Sequence, residues 1–311
     1  MAATTAVSIV IPVYNSADVL PVLCERLAPV LPALGEGTEV VFVNDGSRDR
    51  SWEVLQELAA ARPWMRCLDL MRNYGQHNAL LCGIREARGG VVVTMDDDLQ
   101  HPPEEIPRLL AHLEGRDVVY GRPDAEHHGL WRDLASQLTK LALQSAMGVE
   151  AARNVSAFRA FRTELREAFK TDLGPFVSID VLLTWGTTRF GSVTVRHEPR
   201  RIGTSSYTLR KLVTHALNMM TGFGTLPLQL ASVIGFVFTL FGMGVLAYVI
   251  GRYLIQGGSV PGFPFLASII AIFSGAQLFA LGILGEYLAR MHFRLMEKPA
   301  YVVRRSLEAG K

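Results

Sequence analysis

Charge is scarce in this sequence. Lys, Arg, Asp and Glu make up 19% of its 311 residues, and 31 basic against 29 acidic side chains leave a net charge of only +2. That balance carries no bulk electrostatic footprint for nucleic acid, so no nucleic-acid partner is expected. Cysteine is scarcer still: Cys24, Cys67 and Cys82 are odd in number and match no metal-ligand spacing. A chain this long needs no disulfide framework, so reduced thiols in a cytosolic setting are expected. Two glycine signatures are missing as well. No G-x-G-x-x-G follows the first β-rich run and no G-x-x-x-x-G-K-[ST] occurs anywhere, which excludes the standard dinucleotide and P-loop sites. There is no basic leader with an apolar core and cleavage site at the start, so no signal peptide is expected.

What is present is apolar, at 49% of residues and a mean hydropathy of +0.23, too greasy for an ordinary soluble enzyme. The apolar residues are concentrated. No Asp, Glu, Lys or Arg stands between Lys211 and Arg252, and none between Arg252 and Glu286. Each run exceeds the roughly 20 apolar residues that cross a bilayer core. Two transmembrane helices are predicted, about 228–250 and 263–285, with Gly235, Gly242, Gly244, Gly275 and Gly282 allowing close helix packing. Arg200, Arg201, Arg210 and Lys211 precede them; Arg290, Arg294, Lys298, Arg304, Arg305 and Lys311 follow; the loop between offers only Arg252. By the positive-inside rule both termini are cytoplasmic. Leu130, Leu134, Leu138 and Leu141, and again Leu209, Leu212, Val213, Ala216, Leu217 and Met220, recur at helical spacing. Each stretch fits a helix lying on the membrane surface or one facing a core.

Residues 7–121 alternate between β-rich runs and helical patterns. Strands are predicted at Val7–Val13, Glu39–Val43, Met65–Leu70, Val91–Met95 and Asp117–Tyr120, and helices near Ala17–Leu31, Asp49–Ala61, Gln76–Ala87 and Glu104–Leu113. This alternation implies an α/β domain with a mostly parallel, Rossmann-like sheet. Ligands of such sheets sit beyond the carboxyl ends of the strands. There the sequence places Pro12–Ser16, Asn44–Ser47, Asn73–His77 and Asp96–His101. Asp96-Asp97-Asp98 directly follows an apolar run; in extended backbone Asp96 and Asp98 share a side and could reach one hard cation. Three adjacent acids repel unless a cation or basic group offsets them. Asp45 could accept from a nucleobase N–H, form an Asx turn with Ser47 as helix N-cap, or do both.

Ile11-Pro12-Val13-Tyr14-Asn15, Val43-Asn44-Asp45-Gly46-Ser47 and Asp96-Asp97-Asp98-Leu99-Gln100 resemble the signature of family 2 glycosyltransferases of GT-A fold. Arg72-Asn73-Tyr74-Gly75-Gln76-His77 and Gln100-His101-Pro102-Pro103-Glu104-Glu105 are similar to the polyprenyl-phosphate glycosyltransferases. Those include the dolichol-phosphate mannose synthase, bactoprenol glucosyltransferase and undecaprenyl-phosphate 4-deoxy-4-formamido-arabinose transferase groups, and Gly282-Ile283-Leu284-Gly285-Glu286-Tyr287 with the paired spans also fits. The resemblance implies that Pro12, Tyr14, Asn15, Asp45 and Asp96 hold the nucleotide. It assigns Asp96 and Asp98 to Mg²⁺ or Mn²⁺, and catalysis to Asp98, Gln100 and Arg200. Asp97 stands where relatives usually carry Ala, and Ser16 where many carry Glu. His197, Arg200, Gly203, Ser205 and Tyr207 follow an H-x-x-R-x-x-G-x-S-x-Y pattern in which the usual Lys is Ser206.

The implied reaction moves a sugar, with inversion, from a nucleoside diphosphate, UDP before GDP, to polyprenyl phosphate at the cytoplasmic face of a bacterial inner membrane. A phosphate acceptor is already anionic near neutral pH and needs no strong base. Arg suits the acceptor phosphate because its planar fork grips bidentately; the candidates are Arg122, Arg132, Arg159 and Arg200, joined by Ser205. The expected organisation is a cytosolic GT-A domain over 1–204, a juxtamembrane helix at 205–225, the hairpin at 226–287 and a basic tail at 288–311, assembling as a homo-oligomer, a tetramer by resemblance. A GDP-mannose-using synthase is the nearest rival. A processive polysaccharide synthase lacks its Q-x-x-R-W here, and a transporter or lipid-flipping protein would want ionisable residues inside the spans.

Overall fold

The computed structural model describes residues 6–123, 155–169, 177–198, 226–256, 262–296 and 298–308. Their strands are β1 (Val7–Val13), β2 (Glu39–Asn44), β3 (Met65–Leu70), β4 (Val91–Thr94), β5 (Val118–Pro123), β6 (Arg159–Arg162), β7 (Phe190–Val195) and β8 (Val303–Glu308). They form one sheet in the order β7-β5-β6-β4-β1-β2-β3-β8. β6 is antiparallel to β4 and β5, and β8 is antiparallel to β3; the remaining pairings are parallel.

The helices are α1 (Leu20–Leu27), α2 (Ser51–Ala60), α3 (Gln76–Glu86), α4 (Ile106–Ala111), α5 (Ile179–Gly186), α6 (Leu226–Gln256) and α7 (Phe263–Leu295). β1 is buried along its whole length and apolar except for Ser8, whose hydroxyl donates to Glu39 at 2.7 Å, because helices cover both faces of the sheet. Ile9, Ile11 and Val13 pack with Leu20, Leu23 and Leu27 of α1 and Leu55 of α2. Val10 turns to the other face and packs with Leu80, Leu81 and Ile84 of α3 and Leu182 and Leu183 of α5. Burial pushes the thiols up, Cys24 to about 11 and Cys67 and Cys82 to about 12, which disfavours the reactive thiolate of all three free cysteines in the core.

The predicted helix at Ala17–Leu31 is shorter, α1 followed by a 3₁₀ turn at Leu31–Leu34. Pro21 and Pro32 open each piece, and Asp49 and Ser51 take the amides of Ala17 and Ser16 into a turn. The Glu104–Leu113 helix likewise divides into a 3₁₀ turn at Pro103–Glu105 and α4, whose first turn holds Pro107. β6, α5, β7 and β8 were not predicted. β8 matters most, because it turns part of the expected tail at 288–311 into an edge strand of the sheet.

α6 and α7 contain the predicted spans and are long and apolar enough to cross a membrane, over Pro227–Ile255 and Ile272–Ala289. They pack as a hairpin. The Phe238 and Phe273 rings meet edge to face at 5.9 Å, and a Cβ on Gly242 would lie 2.8 Å from Phe273 Cζ. Leu254, Ile255, Phe236 and Leu278 point outward, exposing an apolar surface that suits lipid. The two amphipathic stretches at 130–141 and 209–220 lie outside the described residues.

Candidate active site

The carboxyl ends of β1, β2, β3 and β4 bring the four predicted segments to one edge. Pro12 is buried in β1, whereas Tyr14 and Asn15 stand exposed just beyond it. Asn15 takes the left-handed conformation, φ 54°. Its amide donates to Ser47 Oγ at 3.0 Å and its side-chain oxygen accepts from the Arg48 amide at 2.8 Å, which locks the β1 and β2 exits together. Gly46, at φ +62°, allows a still closer approach: a Cβ there would lie 2.5 Å from the Arg72 carbonyl carbon.

Asp45 is 2% exposed, and each carboxylate oxygen accepts a loop amide, Tyr74 at 2.7 Å and Gly75 at 2.8 Å. Burial pushes its pKa up, and those two amides oppose the rise. Asp45 therefore fixes the Arg72–Gln76 loop, whatever else it accepts. The Asx turn belongs to Asn44, whose Oδ1 receives the Ser47 amide at 3.3 Å; Asp49, not Ser47, accepts the first amide of α2, from Ser51 at 3.1 Å.

The acid triplet departs from the extended geometry read from sequence. β4 ends at Thr94, residues 97 and 98 lie in a turn, and Leu99 is left-handed at φ 61°. Any shared side of Asp96 and Asp98 thus comes from the turn and not from strand alternation. Asp96 Oδ1 accepts from Gln76 Nε2 at 2.6 Å, and Asp98 Oδ1 accepts the Gln100 amide at 3.1 Å. Asp97 turns inward to the Ser16 side chain and the Tyr14 backbone; burial, with Asp98 beside it, pushes its pKa up to about 6. Among the described residues no third metal-ligating side chain joins Asp96 and Asp98. Their hard oxygen donors suit Mg²⁺ or Mn²⁺, provided substrate oxygens and water complete the shell.

Arg159 is corrected. It is not a surface arginine awaiting phosphate: it is 2% exposed, ion-paired with Asp180, and donates through Nε to Thr94 Oγ1 at 2.9 Å. Tyr120 Oη completes this buried network, donating to Asp180 at 3.1 Å. Arg159 also interacts electrostatically with Asp96, so it is a basic group that offsets the triplet from beneath. Arg122 stands exposed at the end of β5. Arg132, Arg200 and Ser205 lie outside the described residues, whose nearest point to Arg200 is Glu198; its amide donates to the Gln100 carbonyl at 2.8 Å. His197 meets His101 at 5.1 Å, joining the Gln100-His101 segment to the start of the H-x-x-R pattern. Burial and His197 depress the His101 pKa to about 4.

Gln76, Asn44 and Asp69 carried no predicted role. Gln76 lay inside a quoted motif, and its amide on Asp96 could have been suspected from that. An open cleft of about 200 Å³ lies at the β2, β3 and β8 side of this edge, beyond β1 from the acids, lined by Asn44, Ser47, Trp52, Asp69, Arg304 and Arg305 among others.

Residues 8–170 match the model described as glycosyl transferase family 2. The undecaprenyl-phosphate 4-deoxy-4-formamido-L-arabinose transferase of Pectobacterium carotovorum subsp. carotovorum is 36% identical over 309 residues, 98% of this chain and 94% of that protein. The protein of the same name from Pseudomonas paraeruginosa is 37% identical over 314 residues, with 98% and 91% covered. Glucosyl-3-phosphoglycerate synthase of Mycobacterium tuberculosis, crystallised with Mn²⁺, uridine diphosphate and glucosyl-3-phosphoglycerate, shares the fold at a TM-score of 0.53 and 17% identity. That match covers 70% of this chain and 78% of that one.

Proposed function

Because this chain belongs to glycosyl transferase family 2 and is a glycosyltransferase, we propose that it moves a sugar from a nucleoside diphosphate, UDP-linked, to undecaprenyl phosphate at the cytoplasmic membrane face. One observation carries this reading. β8 runs antiparallel to β3, with Val303 opposite Leu70, so the chain enters the sheet at the edge that holds Asp45, Asp96 and Asp98. Only seven residues, 296–302, separate α7 from β8, which spans at most about 25 Å even fully extended. The end of the apolar hairpin is thereby tied near the candidate site. A lipid phosphate needs such an arrangement, because its reactive headgroup stays at the bilayer surface.

In the reaction an acceptor phosphate oxygen attacks the anomeric carbon, the bond from that carbon to the diphosphate breaks, and nucleoside diphosphate leaves. Asp96 and Asp98 would hold Mg²⁺ or Mn²⁺, which supplies charge stabilisation for the leaving diphosphate. Gln76 orients Asp96, and the Gln100 amide orients Asp98. Asp45 holds the loop that flanks the nucleotide, and Tyr14 offers an exposed ring beside it. Arg200 is the residue we propose for the acceptor phosphate, with Arg122 next in line.

Purified protein incubated with undecaprenyl phosphate and a panel of labelled UDP- and GDP-sugars tests the reading. A labelled lipid product from a UDP-sugar is expected, lost in excess EDTA and reduced at least a hundredfold in Asp98→Asn, a typical scale for losing an electrostatic catalytic group. Product from GDP-mannose alone would shift the assignment to a mannose synthase, and no lipid product from any donor would refute it.

A further inference from the structure

The C-terminal strand reaches the candidate site by a chain of side chains. Asp69, the last residue but one of β3, is 3% exposed, with its two carboxylate oxygens divided between two partners. Oδ1 accepts from Asn44 Nδ2 at 2.8 Å, and Oδ2 faces Arg305 Nε of β8 at 3.4 Å. Asn44 passes the link on: its Oδ1 receives the Ser47 amide at 3.3 Å, and Ser47 Oγ accepts the Asn15 amide at 3.0 Å. Arg305 is steadied by the Trp52 ring, 5.6 Å from its guanidinium carbon. A second tie runs in parallel, since the Met71 amide donates to the Val302 carbonyl at 2.9 Å and Arg304 donates back to the Met71 carbonyl at 3.0 Å.

A buried carboxylate near a strand end is unfavourable unless both oxygens are satisfied; Asn44 meets one, and the partner of the other, Arg305, is more than 230 residues away in sequence. Sheet pairing alone does not require it, because the backbone ladder between β3 and β8 would form with an apolar residue at 69.

We propose that Arg305 and Asp69 are positioning residues. The strand that follows the membrane hairpin holds the β1 and β2 exits, with Asn15 and Ser47, in the geometry that receives the donor nucleotide. This rests on the reading of those exits as the nucleotide site. Neither residue touches the reacting atoms; both act through Asn44 and Ser47. Arg305 is half exposed, so Arg305→Ala leaves the core intact.

The experiment uses full-length protein in detergent, with wild type, Arg305→Ala, Arg305→Lys and Asp69→Asn. Titration of UDP with Mg²⁺ should show Kd raised roughly fivefold to thirtyfold in Arg305→Ala, the scale of one or two lost polar contacts. In turnover, the donor KM should rise while kcat and the lipid KM stay near wild type. Arg305→Lys should restore part of the affinity, since an ammonium can meet Asp69 but lacks the planar face for Trp52. Hydrogen exchange on ligand-free protein gives an independent readout: the Asn15, Ser47 and Arg48 amides should exchange faster in Arg305→Ala and Asp69→Asn, while those of Val10 and Val41 in the sheet centre do not.

Unchanged UDP affinity in Arg305→Ala, or exchange that accelerates equally through the whole sheet, would overturn the proposal. A wild type that binds no nucleoside diphosphate would instead overturn the functional reading. The exchange at Asn15 and Ser47 would then still decide whether the relay holds the loops.

Discussion

Asp97 and His101 sit four residues apart and are perturbed in opposite senses, the acid up to about 6 and the imidazole down to about 4, each chiefly by burial. Asp97 stays protonated in the folded protein up to about pH 6, whereas the unfolded chain ionises it near 4. Stability is therefore lost as pH rises from about 4 to 6. His101 stays neutral when folded down to about pH 4, whereas the unfolded chain protonates it near 6.5. Stability is therefore lost as pH falls from about 6.5 to 4. The two slopes oppose each other. Against wild type, metal-free Asp97→Asn should gain roughly 1–2 kcal/mol by pH 7, less than the full shift implies because the side chain is partly solvated. His101→Gln should gain a similar amount on acidification to pH 4.5. Melting curves at pH 4.5, 6 and 7.5 check both, and parallel profiles for all three proteins would rule out the assignment. The sequence hinted at Asp97 as an oddity of the triplet, but its inward turn toward Ser16 depends on the bend at Leu99, and no local pattern encodes that bend.

At the scale of elements, glycines mark where two segments must nearly touch. Gly46 faces backbone: a Cβ would meet the Arg72 and Asn73 main chain at 2.5 and 2.6 Å, and its φ of +62° disfavours any side chain. Gly46→Ala should cost about 2–4 kcal/mol from strain and overpacking together, and should weaken nucleotide binding as the two loops part. Gly242 is different. Its neighbour is the Phe273 ring, which can swing aside, so Gly242→Ala should cost about 1 kcal/mol or less and leave turnover intact. Thermal melts read with donor titration check the contrast; equal effects at the two positions would contradict it. Strands β1, β2 and β4 were legible because their runs are rich in valine and isoleucine, and β3, Met65–Leu70, because it continues the alternation of strand and helix. β6 was not, since its four residues Arg159–Arg162 hold two arginines, and Arg159 is buried only because Asp180 and Thr94 receive it.

For the whole molecule, the hairpin and its basic flanks predict a topology. A reporter fused after Lys311 should be cytoplasmic, and a tag inserted within 257–262 should be accessible from the opposite side. Protease or thiol-labelling access on intact and opened vesicles measures this, and both tags on one side would remove the membrane-spanning hairpin. Placing the C-terminus on the catalytic side agrees with β8, which must share a compartment with β3 to pair with it.

The sequence alone determined the alternating α/β order of the first half, the two apolar helices and the four strand exits that form the candidate site. Each of these depends on short-range regularities: period-two and period-3.6 patterns, and uncharged stretches longer than a bilayer core. Tertiary structure decided what has no local period. It set β8 against β3, buried Arg159 with Asp180 beneath the acids, and committed both oxygens of Asp45 to the Tyr74 and Gly75 amides. A buried charge is tolerable only where a distant partner meets it, and that partner's identity is fixed by the packing of the whole sheet rather than by neighbours in the chain.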